Sequence, residues 1–543
     1  MPSLNWIGKD EVLNYNPPYH TLEKKYTFNA KNSDNMIIKG DNLLALKSLL
    51  PKYEGKVKCI YIDPPYNTGN ENWVYNDNVN SPQIKKWLGE VVAKDDLSRH
   101  DKWLCMMMPR LKLLHRLLSD DGVIFISIDD NEIANLKLLC DEVFGGGQAV
   151  ATLHVELSTT QGMKVSSAQK GNIVKNAEYI LVYSKSIFNF QTSLYVSKEW
   201  DDHYSIFINP ETIIRTTLLN FLKSKYPDIN KDKIKQLYSF DENFRNFIHE
   251  NSNNIFQDTM CSVNFDLSEE QEVELNEGKI LEVLKYKIFK TSTGSIRQLI
   301  SLGDSLGMSD DFIPKFGLRK IRGDWWADYY KDMMNINKEG DIVFLNGKKC
   351  IRLIMDILKI STDKNSIILD SFAGSGTTAH AVLELNKKDG GNRKFILVEM
   401  EDYAENITAE RVRRVIKGYG KESVNSATGG DFSFYELGER LLLENGNINE
   451  SISSEKIKEY IYFSETKEKC EHKGSDFLGE CSGVAYYFIY KKDEITTLDF
   501  EYLANLKKAS SYVIYADVCV LSDETMMKYN ITFKKIPRDI KKV

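Results

Sequence analysis

Apolar residues in this chain come in two alternating rhythms. Short solid runs read as buried strands, and stripes at helical spacing follow them. Met36-Ile37-Ile38-Lys39 is the first run and ends in the turn residues Gly40-Asp41-Asn42. Leu43, Leu44, Leu46, Leu49 and Leu50 then form a stripe, and Val57-Lys58-Cys59-Ile60-Tyr61-Ile62 is the second run. A longer stripe comes next (Leu104, Met107, Met108, Leu111, Leu114, Leu117, Leu118), stopped by Ser119-Asp120-Asp121-Gly122 before the strand Val123–Ile128. A further helix reaches Phe144, and Glu178–Ser184 is another strand. The rhythm returns late in the chain: a strand at Ser366–Asp370, a helix from Ala379 to Leu385, and a strand at Lys394–Glu399. Strands joined by helices at this spacing predict an α/β fold with a Rossmann-like, mostly parallel sheet.

The rest of the chain is less regular. Residues 1–35 are polar and aromatic and read as an arm over the main domain. Trp73, Tyr75 and Trp87 predict an aromatic-rich loop with turn residues at 76–78. Residues 186–325 break the rhythm, with helical segments expected around 211–250 and 265–300. Residues 431–543 carry no motif of their own and read as a small α/β domain.

At 543 residues the chain has room for about three or four domains. No apolar run approaches the ~18–20 residues of a membrane span, and the start lacks a signal-peptide pattern. The eight cysteines are scattered with no Cys-x-x-Cys pair, which points to reduced thiols in a cytoplasm. Cys470, His472 and Cys481 lack a fourth ligand and tight spacing, so no metal is expected. The net charge of −7 does not by itself suggest a nucleic-acid partner. Residues 201–300 hold 12 Lys/Arg against 16 Asp/Glu. What matters for phosphate is a local basic stripe. Lys315, Arg319, Lys320 and Arg322, leading into Trp325-Trp326, form a candidate DNA contact.

The chemistry centres on Asp63-Pro64-Pro65-Tyr66, directly after the second run. Asp63 sits at a strand's carboxyl end, the edge where open α/β sheets bind ligands. Two prolines stiffen the backbone and donate no N–H bonds. A carboxylate, bare carbonyls and an aromatic ring suit a flat molecule with an exocyclic NH2. Asn16-Pro17-Pro18-Tyr19 has a similar pattern, but its preceding residues are too polar for a buried strand, so it reads as a plain turn.

A second motif follows the strand ending at Asp370: Ser371-Phe372-Ala373-Gly374-Ser375-Gly376-Thr377-Thr378. Strand, glycine turn and helix cradle nucleotide-like cofactors, because glycine lets the backbone approach the ligand. No Gly-Lys-Ser/Thr is present, so a phosphate ligand is disfavoured. The next strand ends at Glu399, 23 residues after Gly376, well placed to accept both ribose hydroxyls.

Asp63–Tyr66 resembles the catalytic motif of DNA amino-methyltransferases, and Phe372-Ala373-Gly374-Ser375-Gly376 resembles their S-adenosylmethionine motif. The catalytic motif comes first by about 300 residues, which looks like the permuted β arrangement. The ends are similar to the Mod subunits of type III restriction–modification systems, at Leu4–Lys9, Tyr435–Gly438, Ile461–Thr466, Gly483–Tyr487 and Ile531–Pro537.

The resemblance implies a catalytic half at 36–185, a target-recognition domain at 186–325, a cofactor half at 326–430 and a C-terminal domain at 431–543 for dimer or partner contacts. It implies methyl transfer to N6 of a flipped adenine in double-stranded DNA by Asp63, Pro64, Pro65 and Tyr66. Asp41, Asp370, Phe372, Ala373, Gly374, Ser375, Gly376, Thr377, Thr378 and Glu399 would hold the cofactor. A homodimer and a Res helicase–nuclease partner follow from the same likeness. Where the family has a Lys-Pro pair, this chain has Lys348-Lys349-Cys350, leaving open which lysine faces the cofactor carboxylate. A cytosine-N4 methyltransferase uses related chemistry but more often carries Ser at the position of Asp63. A stand-alone adenine methyltransferase without a nuclease partner is the other alternative. A silent specificity module would not need intact motifs.

Overall fold

The computed structural model describes residues 4–68, 86, 89, 97–159, 163–261, 263–311, 313–333, 336–344, 347–420, 426–470 and 474–538. The aromatic loop expected around Trp73, Tyr75 and Trp87 lies outside the described residues, as does His472. The chain divides into two compact units, one formed by residues 1–191 with 324–543 and one by residues 192–323.

The first unit is built on a ten-stranded sheet. Its strands are β1 (His20–Phe28), β2 (Met36–Lys39), β3 (Val57–Ile62), β4 (Leu118–Ile128), β5 (Ala149–Glu156), β6 (Ala177–Ser184), β7 (Trp325–Trp326), β8 (Ile367–Asp370), β9 (Lys394–Glu399) and β10 (Phe432–Arg440). The spatial order is β1-β10-β2-β9-β8-β3-β4-β6-β5-β7. From β10 to β4 every pair is parallel, while β6 runs antiparallel to both β4 and β5. The helices α1 (Asn42–Tyr53), α2 (Arg99–Leu117), α3 (Ile133–Phe144), α4 (Ile351–Ser361), α5 (Thr377–Asp389) and α6 (Glu410–Lys417) connect or flank these strands.

The solid apolar runs are strands because both faces of the sheet's middle are covered, as parallel sheets require. Cys59, Ile60 and Ile62 of β3 are fully buried, and so are Phe395 to Val398 of β9. The stripe of α2 packs with α1 and β4 into one core, and Met106, Met107 and Met108 are part of it. The helix stops at Leu117, as expected, but Ser119-Asp120-Asp121-Gly122 lies inside β4, as a bulge. Pairing with β3 jumps from Val57↔Leu118 to Cys59↔Val123. Gly122 does not open the strand. It fits where a Cβ would come within 2.9 Å of the Val57 carbonyl and 2.8 Å of the Ser119 carbonyl.

Three expectations need correction. His20–Phe28 and Phe432–Arg440, expected in the arm and the C-terminal domain, pair with each other, and the latter also pairs with β2 inside the central sheet. Half-polar sequences hid them, since β1 lies at the sheet edge. Residues 265–300, expected helical, contain one helix, Glu269–Asn276, and the strands Leu281–Val283, Tyr286–Lys290 and Ile296–Ser301. Their period is two, not 3.6, so local alternation was the better guide. Trp325 and Trp326 divide: Trp326 is buried and stacks on Tyr329 at 5.9 Å, while Trp325 is exposed.

The second unit has its own apolar core, including Trp200, Tyr204, Leu222, Tyr238, Phe244 and Leu318. It holds a six-stranded and a three-stranded antiparallel sheet with three helices between Leu218 and Glu250. Its ends meet, because Arg322 N–H donates to the Ser193 carbonyl at 2.8 Å. Beyond β10, α7 (Ser454–Thr466) packs on a four-stranded sheet of residues 477–535. Among the described residues no helix is long and apolar enough to cross a membrane.

Candidate active site

Strands β8 and β3 are neighbours, with Leu369 opposite Ile60. Counting three residues on along both puts Asp63 level with Phe372, at a strand spacing of about 4.8 Å. The two motifs, so far apart in sequence, therefore leave the same sheet edge side by side.

Asp63 is 8% exposed, and burial pushes its carboxyl above the ordinary carboxylate range, with Lys349 pulling it back and Glu178 adding to the rise. Its Oδ1 is buried and accepts no hydrogen bond among the described residues. Lys349 Nζ lies 3.4 Å away, close enough for an ion pair but outside good hydrogen-bond geometry. The Pro65 carbonyl, read from sequence as bare, accepts the Trp103 indole N–H at 2.7 Å. Tyr66 is buried and its hydroxyl donates to Glu178 Oε2 at 2.9 Å. Asn67 turns the chain with a left-handed φ of 57°, and its carboxamide donates to the buried Glu132, which also binds His100 Nδ1 at 2.6 Å. The motif is thus held from both sides, by α2 through Trp103 and by the residue that leads into α3.

The glycine turn is braced as tightly. Asp370 accepts from Phe372 N–H at 3.0 Å and from the Thr378 hydroxyl at 2.6 Å, and burial raises its carboxyl to about 7. Gly374 and Gly376 both have left-handed φ, 52° and 80°. Ser375 and Thr377 hydroxyls accept from the buried Arg411 at 2.8 and 2.7 Å, and Ala373 N–H donates to the Val398 carbonyl at 3.1 Å. Glu399 Oε2 accepts from Gly374 N–H at 2.8 Å and Oε1 from Glu401 N–H at 3.0 Å. Burial lifts the Glu399 carboxyl to about 8. Each of its oxygens keeps a second lone pair for a ligand hydroxyl.

Asp41 sits beside this turn, because Gly40 N–H donates to the Glu399 carbonyl at 2.9 Å. Its Oδ1 caps α1 by accepting Leu44 N–H at 3.1 Å, and Oδ2 is 3.6 Å from Arg110. A Cβ on Gly40 would strike Leu437 of β10 at 2.5 Å. The edge therefore carries the Asp41 carboxylate and the Glu399 carboxyl, and no lysine side chain within the turn itself. This donor set fits a nucleoside with a cationic centre, and suits S-adenosylmethionine better than a phosphate.

Of the two candidate lysines, Lys348 donates to the Glu339 and Ile342 carbonyls at 2.8 and 3.1 Å, and burial lowers its ammonium to about 8. Lys349 turns to the other motif, with Nζ 2.6 Å from the Tyr66 hydroxyl and 2.9 Å from Glu178 Oε2. Sequence reading missed Glu178, Glu132 and Trp103. Glu178 is the second residue of β6, and the antiparallel pairing of β6 with β4 brings it to this edge.

In the second unit, Lys315 is exposed and Lys320 is 3.9 Å from Glu199. Arg319 donates to the Asp304 carbonyl at 3.0 Å, and Arg322 pairs with Asp311 at 2.8 Å with its side chain 8% exposed. Asn16–Tyr19 lies away from the edge, with Tyr19 packed on Tyr460 at a centroid distance of 4.8 Å.

The DNA methylase family, N6 and N4 methyltransferases, matches residues 57–410. The type III restriction–modification enzyme EcoPI Mod subunit of Escherichia phage P1 is 33% identical over 476 residues, covering 78% of this chain and 70% of that one. The probable HindVI Mod subunit of Haemophilus influenzae is 32% identical, covering 75% and 54%, and the EcoP15I Mod subunit of Escherichia coli is 31% identical, covering 74% and 64%. This chain thus spans between about half and 70% of the length of these relatives. The chain belongs to the DNA methylase family, in the branch of the type III restriction–modification Mod subunits.

Proposed function

We propose that this chain transfers a methyl group to N6 of an adenine flipped out of duplex DNA. One observation carries the reading: a buried carboxylate, Asp63, whose Oδ1 accepts no hydrogen bond and has only the Lys349 ammonium 3.4 Å away, stands at the edge it shares with the glycine turn. Such an orphan costs about 1–3 kcal/mol to maintain, which makes a donor-bearing ligand its natural complement. An amino group entering there donates one N–H to Asp63 Oδ1 and the other to the Pro64 carbonyl. Those bonds draw the nitrogen lone pair out of the ring. The carboxylate also stabilises the positive charge that develops on N6. Stacking on Tyr66 returns roughly 1–3 kcal/mol toward the few kcal/mol that flipping costs. S-adenosylmethionine, when bound, supplies the electrophilic methyl. Glu399 and Asp41 are the residues to take its hydroxyls and amine, with the turn at 372–378 against its body. Asp370 and Arg411 hold that turn in shape.

The likeness to Mod subunits supports a role as the modification subunit of a restriction system, acting as a dimer and with a Res partner. In the inserted unit, Lys315 and Lys320 suit phosphate contacts, while Arg319 and Arg322 hold the surrounding loops.

Expression of the chain in methylation-deficient cells, followed by sequencing that distinguishes N6-methyladenine from N4-methylcytosine, tests the reaction. N6-methyladenine at one recurrent site is expected. Asp63→Asn should lower transfer by 10^3-fold or more, on the order of 4 kcal/mol of transition-state stabilisation, while S-adenosylmethionine binding changes little. A variant with near-normal turnover removes Asp63 from the reaction.

A further inference from the structure

We propose that Lys349 is a place-keeper: in the free enzyme its ammonium occupies the position of the target amine, and it must withdraw from Asp63 toward its existing anchor on Glu178 when the base enters. This rests on Asp63 being the acceptor for that amine. The nitrogen stands 3.4 Å from Asp63 Oδ1 and 4.8 Å from the centre of the Tyr66 ring, the two groups that would grip and stack the base. The nitrogen lies off the hydroxyl end of that ring, and an exocyclic amine donating to Asp63 Oδ1 competes with it for the space in front of that oxygen.

The three contacts of Nζ are unequal. Its bonds to the Tyr66 hydroxyl, 2.6 Å, and Glu178 Oε2, 2.9 Å, are well formed. The approach to Asp63 is long and leaves Oδ1 without a hydrogen bond. The lysine is therefore anchored on Glu178 and only leans on Asp63. Glu178 is 34% exposed at its side chain, against 8% for Asp63, so the anchor sits on the open side of the cluster. Withdrawal toward Glu178 keeps the ammonium paired throughout, which matters because an unpaired buried charge is costly.

A place-keeper does two things here. It fills a buried site that would otherwise hold an uncompensated carboxylate. It also keeps Asp63 ionised, since burial alone would drive the carboxyl toward protonation, and a protonated acid cannot accept both in charge and geometry as the reaction needs. The charged and titratable groups facing Asp63 are Lys349, Glu178, Tyr66, Tyr61 and Asp370. Lys349 is the cation among these, and its carbonyl accepts the Thr377 hydroxyl at 3.3 Å, tying it to the start of α5 beside the glycine turn.

The test uses the full chain, unmethylated phage DNA and tritiated S-adenosylmethionine. Lys349→Met, Lys349→Arg and Glu178→Gln are compared by the pH profile of kcat/KM for DNA and by calorimetric binding of S-adenosylmethionine. Removing the cation in Lys349→Met should move the acid limb up by about half a pH unit or more. Lys349→Arg should restore it. Glu178→Gln removes the competing anchor and a like charge, so the limb should move down while KM for DNA rises by about threefold or more. Cofactor binding should stay within about threefold of the parent in all three. An unmoved limb in Lys349→Met, or cofactor binding weakened by tenfold or more, overturns the proposal, the second result assigning the lysine to the cofactor instead. If Lys349→Met does not fold, the downward shift in Glu178→Gln decides alone. Activity retained in Asp63→Asn is a separate outcome, which ends the reading of the reaction itself.

Discussion

Glu399 shows how one residue can be set for a ligand at a cost to the empty fold. Its folded-state pKa, raised to about 8 by burial, lies above that of an unfolded glutamate. A carboxyl raised in this way contributes stability that is fully present below the unfolded pKa and is lost as pH rises toward the folded value. The ligand-free protein should therefore lose stability between pH 5 and 8. Glu399→Gln, which mimics the protonated acid, should flatten that loss by roughly 2–4 kcal/mol in denaturant titrations run across this window. The same variant should weaken S-adenosylmethionine binding about tenfold by calorimetry, because one acceptor for the ribose hydroxyls is gone. Stability that falls equally steeply in parent and variant would assign the pH dependence to Asp370 or elsewhere.

At the scale of elements, β10 is the least expected member of the sheet. It lies between β1 and β2, antiparallel to one and parallel to the other. Its Phe432 and Phe434 are buried, and Tyr26 of β1 stacks on Phe434 at 5.3 Å. Its Leu437 closes over Gly40. A chain stopped after residue 430 keeps both sequence motifs yet loses an interior strand and uncovers β2. It should be insoluble or melt without cooperativity in calorimetry, whereas a separable C-terminal domain would leave a stable methyltransferase core behind. A cooperative melt of the truncated chain would show that β10 is dispensable.

At the scale of the whole molecule, residues 192–323 have their own core and leave and return at one place, the Ser193–Arg322 hydrogen bond. Replacing the segment with a short glycine-serine linker should leave S-adenosylmethionine affinity within about threefold and abolish sequence-specific methylation. The excised segment should fold alone, with a cooperative thermal transition. Loss of cofactor binding in the linker variant would tie the insertion to the core. The net charge of −7 also finds its context at this scale, since the field that phosphate would meet depends on where basic residues are presented and not on the total.

Much was readable along the chain. Buried parallel strands announce themselves as apolar runs, so β2, β3, β8 and β9 were legible, and with them Asp63, Asp370 and Glu399 at the strand ends. The glycines at 374 and 376 were legible as a turn that lets the backbone approach a ligand, and the structure adds that both have left-handed φ. Edge and half-exposed strands were not, since β1 and β5 mix polar and apolar residues without a clean period. The three strands of 281–301 were lost for a similar reason, their short alternation being masked by charge.

The sequence by itself determined the local geometry of the buried parallel strands: where β2, β3, β8 and β9 lie, where they end, and which carboxylates stand at those ends. Only the tertiary structure decided what meets what. Sheet order placed β8 against β3, antiparallel pairing carried Glu178 to the Asp63 edge, and the loop before α4 sent Lys348 to backbone carbonyls but Lys349 to Tyr66. The physical reason is range. Strand and turn preferences act over a few residues, whereas a buried carboxylate takes its partners from whatever packing brings within about 3–4 Å, however distant in the chain.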